Sequence, residues 1–328
     1  MGYNQENFKR IRAEYETKAL LAQRAADGRR EEVHSQIPAL RELDRHLSTF
    51  GLRIMKQAME GGNTKEAVEQ LRAENQSILA QRKQLLELHG YPEDYCKPHY
   101  ECDLCCDSGY VGIRMCACMR RRLVEAGMES SGLGGLMKKQ SFDNFSLDYY
   151  KHNKQEYLRM EQNFNRVKAY AEGFEISEQN HPQSLLFLGG TGLGKTHLST
   201  AIAKTVIERG YDVFYNSAVG MISDFECRRF GNTAAMGDAD NTERYVSCDL
   251  LILDDLGTEI VNQFTQSTLY YILNTRLNMS RPTVISTNLK AEDLVKTYNE
   301  RITSRLIGEF DVIPFYGVDI RKQKLSQS

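Results

Sequence analysis

The feature that most constrains this chain is a glycine-rich segment, G-G-T-G-L-G-K-T at residues 189–196. It directly follows a short apolar run, S-L-L-F-L at residues 184–188, and precedes a helix-like stretch at residues 197–209. Glycines let consecutive backbone N–H groups turn towards a phosphate, and the N-terminus of the following helix favours negative charge. The spacing G-x-x-x-x-G-K-T between a strand and a helix therefore predicts a phosphate-binding loop in an α/β domain.

The side chains at the end of this loop predict which ligand it holds. Lys195 is expected to reach the β- and γ-phosphates of ATP, and Thr196 is expected to ligate magnesium. A chance glycine-rich turn is disfavoured, because the motif stands between a strand and a helix as its chemistry requires. The candidate nucleotide-binding residues of the loop are Gly189, Gly190, Thr191, Gly192, Leu193, Gly194, Lys195, Thr196 and His197.

Two later apolar runs end in polar side chains, at residues 249–255 and 282–288. A carboxylate at the carboxyl end of a parallel strand faces the ligand crevice, so we expect Asp254 to hold magnesium and Asp255 to orient or polarise the attacking water. Asp255 is one methylene shorter than the glutamate that many ATPases carry there, which leaves weak turnover open. Asn288 either reaches the γ-phosphate or the attacking water, or is an ordinary turn residue.

Two arginines lie four residues apart in the segment E-R-I-T-S-R-L, residues 300–306, and share one face of a predicted short helix. Arginines on a helix are usually solvated. Beside a phosphate-binding loop, Arg301 or Arg305 can instead serve the γ-phosphate of a neighbouring subunit as an arginine finger.

Apolar side chains recur at helical spacing through the first ninety residues. The stripe consists of Leu40, Leu43, Leu47, Phe50 and Ile54, followed by Val68, Leu71, Ile78 and Leu85. We expect two or three helices, with Ser35 capping the second, Pro38 in its first turn, a turn at residues 61–64 and a stop at residues 89–92. The stripe is either the core of this segment or, in part, a surface that docks on a partner's helices.

Six of the eight cysteines lie within residues 96–118, which indicates a metal site in a chain without a secretion signal. Two closely spaced pairs flank a glycine-containing turn at residues 107–112 and suit tetrahedral zinc. The predicted zinc ligands are Cys102, Cys105, Cys116 and Cys118, with Cys96, His99 and Cys106 as spare candidates. A four-thiolate site has no open position and is expected to be structural, and an iron–sulfur cluster is the alternative.

Charge and hydropathy limit the partners and the location of the chain. The net charge of −2 provides no global positive field, so any nucleic-acid binding must use a local patch. The polar N-terminus lacks the apolar core of a signal peptide, and no apolar run approaches the length of a membrane span. We therefore expect a cytoplasmic protein that does not bind membranes.

Four segments occur in an order that resembles a known family: G-G-T-G-L-G-K-T, L-I-L-D-D-L-G-T-E, V-I-S-T-N-L and E-R-I-T-S-R-L. They resemble the AAA+ ATPases of the DnaC/DnaI type, the bacterial replicative-helicase loaders, and their IstB-like relatives. The segment S-F-D-N-F at residues 141–145 is similar to the entry of that family's ATPase domain. The resemblance covers about residues 96–322, and the second and fourth segments are its most specific parts.

The resemblance implies roles that the residues alone do not. Asn288 becomes the sensor-1 residue, Arg305 the favoured arginine finger ahead of Arg301, and Arg321 a second nucleotide-sensing arginine. The stretch 218–247 would contain a helix that contacts single-stranded DNA, because arginines track phosphates and aromatic rings stack on bases. Its candidate residues are Phe225, Arg228, Arg229, Phe230, Arg244 and Tyr245, which alternatively are core aromatics and solvated arginines.

The expected architecture is an α/β AAA+ P-loop core with a parallel sheet, at residues 136–328, without the usual C-terminal helical lid. A helical partner-binding domain at residues 1–92 and a zinc knuckle with linker at residues 93–135 precede it. The implied function is ATP-dependent loading of the replicative DNA helicase onto single-stranded DNA, with self-association through the ATPase domain. The alternatives are an IstB-like transposition helper and a nucleotide-gated adaptor with little turnover.

Overall fold

The computed structural model describes residues 3–59, 64–177, 179–230 and 241–325. The chain forms two compact units: one reaches Ile11 and resumes at Met119, and the other is Arg12–Cys118. The finer division into residues 1–92, 93–135 and 136–328 stays a prediction. Most of the turn predicted at residues 61–64 lies outside the described residues, since only Thr64 is described there.

Three helices occupy the N-terminal part of the chain: α1 (Gln5–Gln36), α2 (Pro38–Met59) and α3 (Thr64–Leu88). Pro38 is the first residue of α2, where its missing N–H leaves no hydrogen bond unmade. The prediction that Ser35 caps α2 is wrong. Because α1 continues to Gln36, Ser35 lies in its last turn and its hydroxyl donates to the Glu32 carbonyl at 2.6 Å.

Helices α2 and α3 pack as an antiparallel pair. Two ion pairs fix the register, because Arg53 meets Glu74 at 2.9 Å while Arg82 meets Asp44 at 2.7 Å. The apolar stripe of α2 is buried or half-buried at every position: Leu40, Leu43, Leu47, Phe50 and Ile54. Leu40 also belongs to a small core with Val33, Ile37, Leu86 and Cys96. These contacts favour the interpretation of the stripe as the core of this segment.

A short hairpin follows, formed by β1 (Tyr110–Val111) and β2 (Arg114–Met115), and helix α4 (Ala117–Ser130) begins directly after it. The hairpin overlaps the second half of the turn predicted at residues 107–112 between the two cysteine pairs. Gly112 has φ +60°, a left-handed conformation that glycine adopts without strain.

Five parallel strands form the central sheet: β3 (Leu185–Leu188), β4 (Val213–Ser217), β5 (Leu250–Leu256), β6 (Thr283–Thr287) and β7 (Asp311–Pro314). Their order across the sheet is β4-β5-β6-β3-β7, and every neighbouring pair is parallel. The helices that connect and flank them are α5 (Leu136–Lys139), α6 (Lys154–Glu172), α7 (Lys195–Glu208), α8 (Ala218–Phe230), α9 (Arg244–Ser247), α10 (Gln263–Asn278), α11 (Ala291–Thr297), α12 (Glu300–Gly308) and α13 (Ile320–Leu325).

Both faces of the sheet are covered, which explains why its strands read as continuous apolar runs. Successive side chains along β3 alternate between two cores: Leu185 and Phe187 join the core with α6 and α7, whereas Leu186 joins the core with α8, α10 and α12. This parallel sheet and the helical N-terminal region confirm the predicted α/β core with a parallel sheet and its helical extension. Residues 326–328, at the end of the chain, lie outside the described residues, and the lack of a C-terminal helical lid stays a prediction.

The strand order decides which side chains meet. Strand β6 lies between β3 and β5, so the carboxyl ends of all three open onto one edge of the sheet. The phosphate-binding loop leaves β3, Asn288 follows β6, and Asp254 and Asp255 lie near the end of β5. The topology therefore gathers residues that are about a hundred positions apart in sequence.

Candidate nucleotide-binding site

Two glycines give the loop its shape. Gly194 has φ +82° and forms the N-cap of α7, and a Cβ there would lie 2.8 Å from the Phe145 ring. Gly192 has φ +71°, and a Cβ there would lie 1.9 Å from Asp319 Oδ1. Both positions require glycine for its left-handed backbone and for space, which explains the glycines of the motif.

Lys195 is buried at the start of α7 and its ammonium group is held by three oxygens. Its Nζ donates to the carbonyls of Gly189 and Gly190 at 2.8 and 2.7 Å, and to Asn288 Oδ1 at 2.7 Å. Burial lowers the pKa of Lys195, while the nearby Asp255 carboxylate opposes the shift. A cation in this place can neutralise charge on a phosphate bound in the loop.

Asp254 is nearly fully buried and accepts hydrogen bonds from three hydroxyl groups. Thr196 Oγ1 donates to Asp254 Oδ2 at 2.9 Å, Tyr215 Oη donates to the same oxygen at 2.8 Å, and Ser286 Oγ contacts Oδ1. Burial and the Asp254 charge raise the pKa of Tyr215, which keeps its hydroxyl a donor. The hydroxyl of Thr196 and the carboxylate of Asp254 are oxygen donors of the kind magnesium binds, so the two residues fit the predicted metal role.

Asp255 adopts a backbone conformation that is rare for residues other than glycine. Its φ is +54°, and the pairing of β5 with β6 shifts register between Leu253 and Leu256. A bulge of this kind re-aims a side chain, and here Asp255 faces the cavity beside the loop. Burial, and then repulsion from Asp254, raise the pKa of the Asp255 carboxyl.

The loop borders a cavity of about 410 Å³. The predicted residues that line it are Thr191, Gly192, Leu193, Gly194, Lys195, Thr196, His197, Asp255, Asn288 and Arg321. Further lining comes from Gln140, Asn144, Phe145, Ser146 and Tyr149 before the ATPase core, and from Ile320 and Lys324 near its end. Gly189, Gly190 and Asp254 do not line the cavity. The two glycine carbonyls accept hydrogen bonds from Lys195, and the Asp254 carboxylate accepts one from Thr196.

Aromatic residues support the loop from the side of the 141–145 segment. His197 Nε2 donates to the Ser141 carbonyl at 2.9 Å, and the Phe145 ring meets the imidazole edge-on at 5.2 Å. Burial lowers the pKa of His197. Tyr150 Oη donates to the Leu193 carbonyl at 2.9 Å, which ties the loop to the same side. No sequence motif identifies Tyr150 or Tyr215, because an isolated tyrosine forms no pattern with its neighbours.

Arg321 reaches the nucleotide cavity from α13. The preceding Asp319 accepts the Arg321 N–H at 2.9 Å, and the Ile320 N–H donates to the Gly192 carbonyl at 3.0 Å. The guanidinium lies close enough to oppose protonation of both Lys195 and Asp255. The structure therefore places Arg321 beside the loop, and its nucleotide-sensing role stays a prediction.

Arg305 does not line the cavity of its own chain. Its guanidinium lies over the Tyr270 ring at 4.8 Å and contacts Asn274, both on α10. Arg301 is exposed on α12 and is likewise absent from the cavity wall. A role for either arginine at a nucleotide therefore requires a second subunit and stays a prediction.

The candidate DNA-contacting residues divide into two groups. Tyr245 is fully buried and donates to Asp224 at 2.6 Å, and Arg244 pairs with Asp212 at 3.0 Å and lies over the Phe214 ring. Tyr245 is therefore a core residue that cannot stack on a base, and the half-buried guanidinium of Arg244 is engaged in contacts within the fold. Phe225 is half-buried beside Tyr245, Arg228 contacts Thr242, and Arg229 and Phe230 are exposed at the end of α8. Residues 231–240 of this stretch lie outside the described residues.

The four predicted thiolates come together in one cluster. The sulfur atoms of Cys102, Cys105, Cys116 and Cys118 all lie within 4.8 Å of one another. Cys102 and Cys116 are 3.9 Å apart and Cys105 and Cys118 are 3.5 Å apart, close to the spacing of about 3.8 Å that tetrahedral Zn–S bonds of about 2.3 Å impose. The donor set therefore fits zinc.

The polypeptide around the cluster is preorganised. Buried Asp107 accepts the N–H groups of Glu101 and Cys102, both at 2.9 Å. A hydrogen bond from the backbone of Cys105 lowers the pKa of the Cys102 thiol to about 7, whereas burial raises the pKa of Cys105 to about 12. The spare candidates do not join the group within the described part of the chain: Cys96 lies in the small N-terminal core, Cys106 is exposed, and His99 is outside the cluster.

None of the helices in the described ranges is both long enough and apolar enough to cross a membrane.

Comparison with known proteins agrees with this geometry. The model of a family described as IstB-like ATP binding protein matches residues 165–328, which is 164 of the 328 residues and includes the loop, both aspartates and Asn288. The chain belongs to the IstB-like ATP binding protein family. Membership agrees with the AAA+ family of DnaC type that the motifs indicated.

Curated relatives of this IstB-like protein include replication proteins. It is 26% identical over 145 residues to the replicative helicase loader DnaC of Escherichia coli strain K12, covering 43% of this chain and 55% of the relative. It is 27% identical over 221 residues to the phage-like element PBSX protein XkdC of Bacillus subtilis strain 168, and the match covers 63% of this chain and 78% of the relative. The chain thus spans about half the length of the DnaC relative. A crystal structure of the DnaC helicase loader aligns with a TM-score of 0.45 and 20% identity, over 55% of this chain and 98% of that one.

Proposed function

We propose that this protein is an ATP-dependent loader of the replicative DNA helicase onto single-stranded DNA. The observation that carries the ATPase part is the convergence of Lys195, Thr196, Asp254, Asp255 and Asn288 at one edge of the sheet. The loader part is supported by the similarity to the replicative helicase loader DnaC.

The chemistry follows from the positions of the side chains. Lys195 neutralises charge on the β- and γ-phosphates, and Thr196 with Asp254 holds magnesium against them. Asp255 orients the attacking water together with Asn288, whose Nδ2 lies 3.5 Å from Asp255 Oδ1. Arg305 of a neighbouring subunit completes the site. Phosphoryl transfer needs little covalent help, so positioned charges supply most of the rate.

Nucleotide state then controls the partners. ATP bound between subunits orders the loaders on the helicase, the N-terminal helices hold the helicase, and the ATPase domain holds single-stranded DNA. Hydrolysis releases the loader. Among the described residues, Arg229 and Phe230 remain candidates for contacting DNA, because Phe230 is 74% exposed and Arg229 lies beside it.

Two other functions have specific support. An IstB-like helper ATPase of transposition is favoured by the family match itself, which covers the whole nucleotide site. A nucleotide-gated adaptor with little turnover is favoured by Asp255, whose side chain is one methylene shorter than the glutamate that many ATPases carry there and so reaches less far towards the attacking water. ATP turnover measured before and after adding single-stranded DNA separates the adaptor from the enzyme.

The experiment that tests the loader proposal is light-scattering chromatography of the full chain with its host's replicative helicase, with and without ATP and magnesium. The proposal predicts a defined complex whose mass or stability changes with ATP. Absence of a complex in every nucleotide state, beside DNA-stimulated ATP turnover, would favour the transposition helper.

A further inference from the structure

A second cavity lies on the N-terminal helices, in the compact unit that does not contain the nucleotide site. Its volume is about 510 Å³, and four of its seven lining residues are arginines. The lining residues are Arg30 and His34 of α1, Arg41, Asp44, Arg45 and Ser48 of α2, and Arg82 of α3. All of them belong to the compact unit Arg12–Cys118.

The single carboxylate of this cavity is already neutralised. Asp44 meets His34 Nε2 at 2.8 Å and Arg82 Nε at 2.7 Å. The three side chains are only 14–18% exposed, so these pairs are partly desolvated. Hydrogen bonds from Arg82 and His34 lower the pKa of Asp44 despite its burial. The carboxylate is therefore committed to its two partners.

The two arginines of α2 are exposed and uncommitted. Within the described ranges, the side chains of Arg41 and Arg45 form neither an ion pair nor a hydrogen bond. They lie four residues apart and so project from the same face of α2. Arg30 of α1 adds a third guanidinium, whose Nη1 forms an ion pair with Asp27 Oδ1 at 3.0 Å.

The face of α2 that carries these arginines continues as an apolar surface. Positions 41, 45, 48, 52 and 55 recur at helical spacing and are all exposed. Leu52 is 70% and Met55 is 63% exposed, although the stripe on the other side of the helix is buried or half-buried. We name Arg41, Arg45, Ser48, Leu52 and Met55 the outer stripe of α2.

We propose that the outer stripe of α2 and the arginine-lined cavity bind an acidic amphipathic segment of a partner protein. Guanidinium groups match carboxylates in a bidentate geometry, and exposed Leu and Met next to arginine are the composition of protein interfaces. Acidic side chains of the partner enter the cavity at Arg41 and Arg45, and its apolar side chains cover Leu52 and Met55. The inference rests on the proposed function for the identity of that partner, the replicative helicase.

The composition of the surface argues against single-stranded nucleic acid as the occupant. Sites for single strands combine a basic track with aromatic rings on which bases stack. Among the residues that the structure describes, no Phe or Tyr lines the cavity, and Leu52 and Met55 of the outer stripe are aliphatic. The basic groups also converge on one pocket, whereas a phosphate chain requires a row of them.

Binding of the full-length protein to the host's replicative helicase, measured by biolayer interferometry with ATP and magnesium, tests the inference. Arg41→Ala/Arg45→Ala is expected to weaken binding about tenfold or more, and Arg41→Glu/Arg45→Glu further still. Leu52→Ala/Met55→Ala should weaken it as well. The matched control is Arg24→Ala/Arg72→Ala, which removes two other exposed arginines of the same unit and should bind normally. Circular dichroism verifies that each variant keeps its helices.

Salt dependence and DNA binding complete the test. Wild-type affinity should fall between low and moderate salt, and the arginine variants should lose part of that dependence. Normal helicase binding by every stripe variant overturns the inference but leaves the loader proposal intact. Failure of the wild-type protein itself to bind overturns both. Loss of binding to a thirty-nucleotide poly-dT strand with unchanged helicase binding would assign the surface to nucleic acid.

Discussion

A hydrogen bond of 2.9 Å joins the Thr196 hydroxyl, in the first turn of α7, to the Asp254 carboxylate, near the end of β5. The same Asp254 oxygen accepts Tyr215 Oη at 2.8 Å. Tyr215 therefore fixes the orientation of a carboxylate that is expected to ligate magnesium. Mutation of a group that orients a metal ligand typically costs about 10- to 100-fold in metal affinity or activity.

Tyr215→Phe is expected to raise the magnesium concentration for half-maximal ATP turnover about tenfold, because Asp254 loses one of its three hydroxyl partners. The maximal rate at saturating magnesium should change much less. The matched control is Tyr170→Phe, since the buried Tyr170 hydroxyl has no hydrogen-bond partner among the described residues. An unchanged magnesium requirement in Tyr215→Phe would remove Tyr215 from the metal site.

Asp255→Asn is expected to lower ATP turnover roughly a hundredfold while ATP binding is retained, since the amide cannot accept a proton from water. Asparagine also tolerates the left-handed backbone at φ +54°. Stopped-flow turnover and equilibrium binding of a fluorescent ATP analogue measure the two effects. Turnover close to that of the wild type would show that Asp255 does not position the attacking water.

The same variant has a pH signature in stability. The pKa of Asp255 is raised in the folded protein, so the wild type loses stability as pH rises through that raised pKa. Asp255→Asn lacks this loss and should melt higher at neutral pH. The difference should vanish below the ordinary pKa of an aspartate, about 3.9, where both states of the wild type are protonated. Thermal melts across this pH range check the sign.

Arg305→Ala is expected to abolish most turnover without preventing ATP binding, if the arginine completes a neighbour's site. Mixing it with Lys195→Ala should restore part of the turnover, because some mixed interfaces combine an intact loop with an intact arginine. Arg301→Ala, on the exposed face of the same helix, is the control. No recovery at any mixing ratio would argue against action between subunits.

The cysteine cluster predicts one zinc ion per chain, measurable by elemental analysis. Cys105→Ser and Cys118→Ser should each lower the zinc content and destabilise the unit that contains the cluster, because metal binding there contributes to folding. Cys106→Ser should keep full zinc, since Cys106 is exposed and outside the cluster. Iron with visible absorption would instead assign an iron–sulfur cluster.

Much of the nucleotide site was predictable because its residues form a motif with fixed spacing. The glycine motif predicts the loop, and apolar runs that end in polar residues predict the two aspartates near the end of β5 and Asn288 after β6. The proximity of these residues follows from the parallel strand order. The backbone of Asp255 was not predictable. Consecutive residues of a regular strand face opposite sides, so only the bulge and the left-handed φ explain how Asp255 faces the cavity beside Asp254.

Other features depend on contacts that no local pattern reveals. Arg244 and Tyr245 have the composition of a nucleic-acid surface, yet both are engaged within the fold by contacts with Asp212, Phe214 and Asp224. Tyr215 belongs to no sequence motif, and its hydrogen bond to Asp254 arises because β4 pairs with β5. The arginine-lined cavity likewise requires three helices to meet, because its residues come from positions 30 to 82.

A loader is defined by the amount of helicase that it places on protein-coated single-stranded DNA circles, which can be measured with and without this protein and ATP. The wild-type protein is expected to increase loading in the presence of ATP, and Lys195→Ala is not. Loading that is unaffected by the protein, or that is equal for wild type and Lys195→Ala, would contradict the loader proposal.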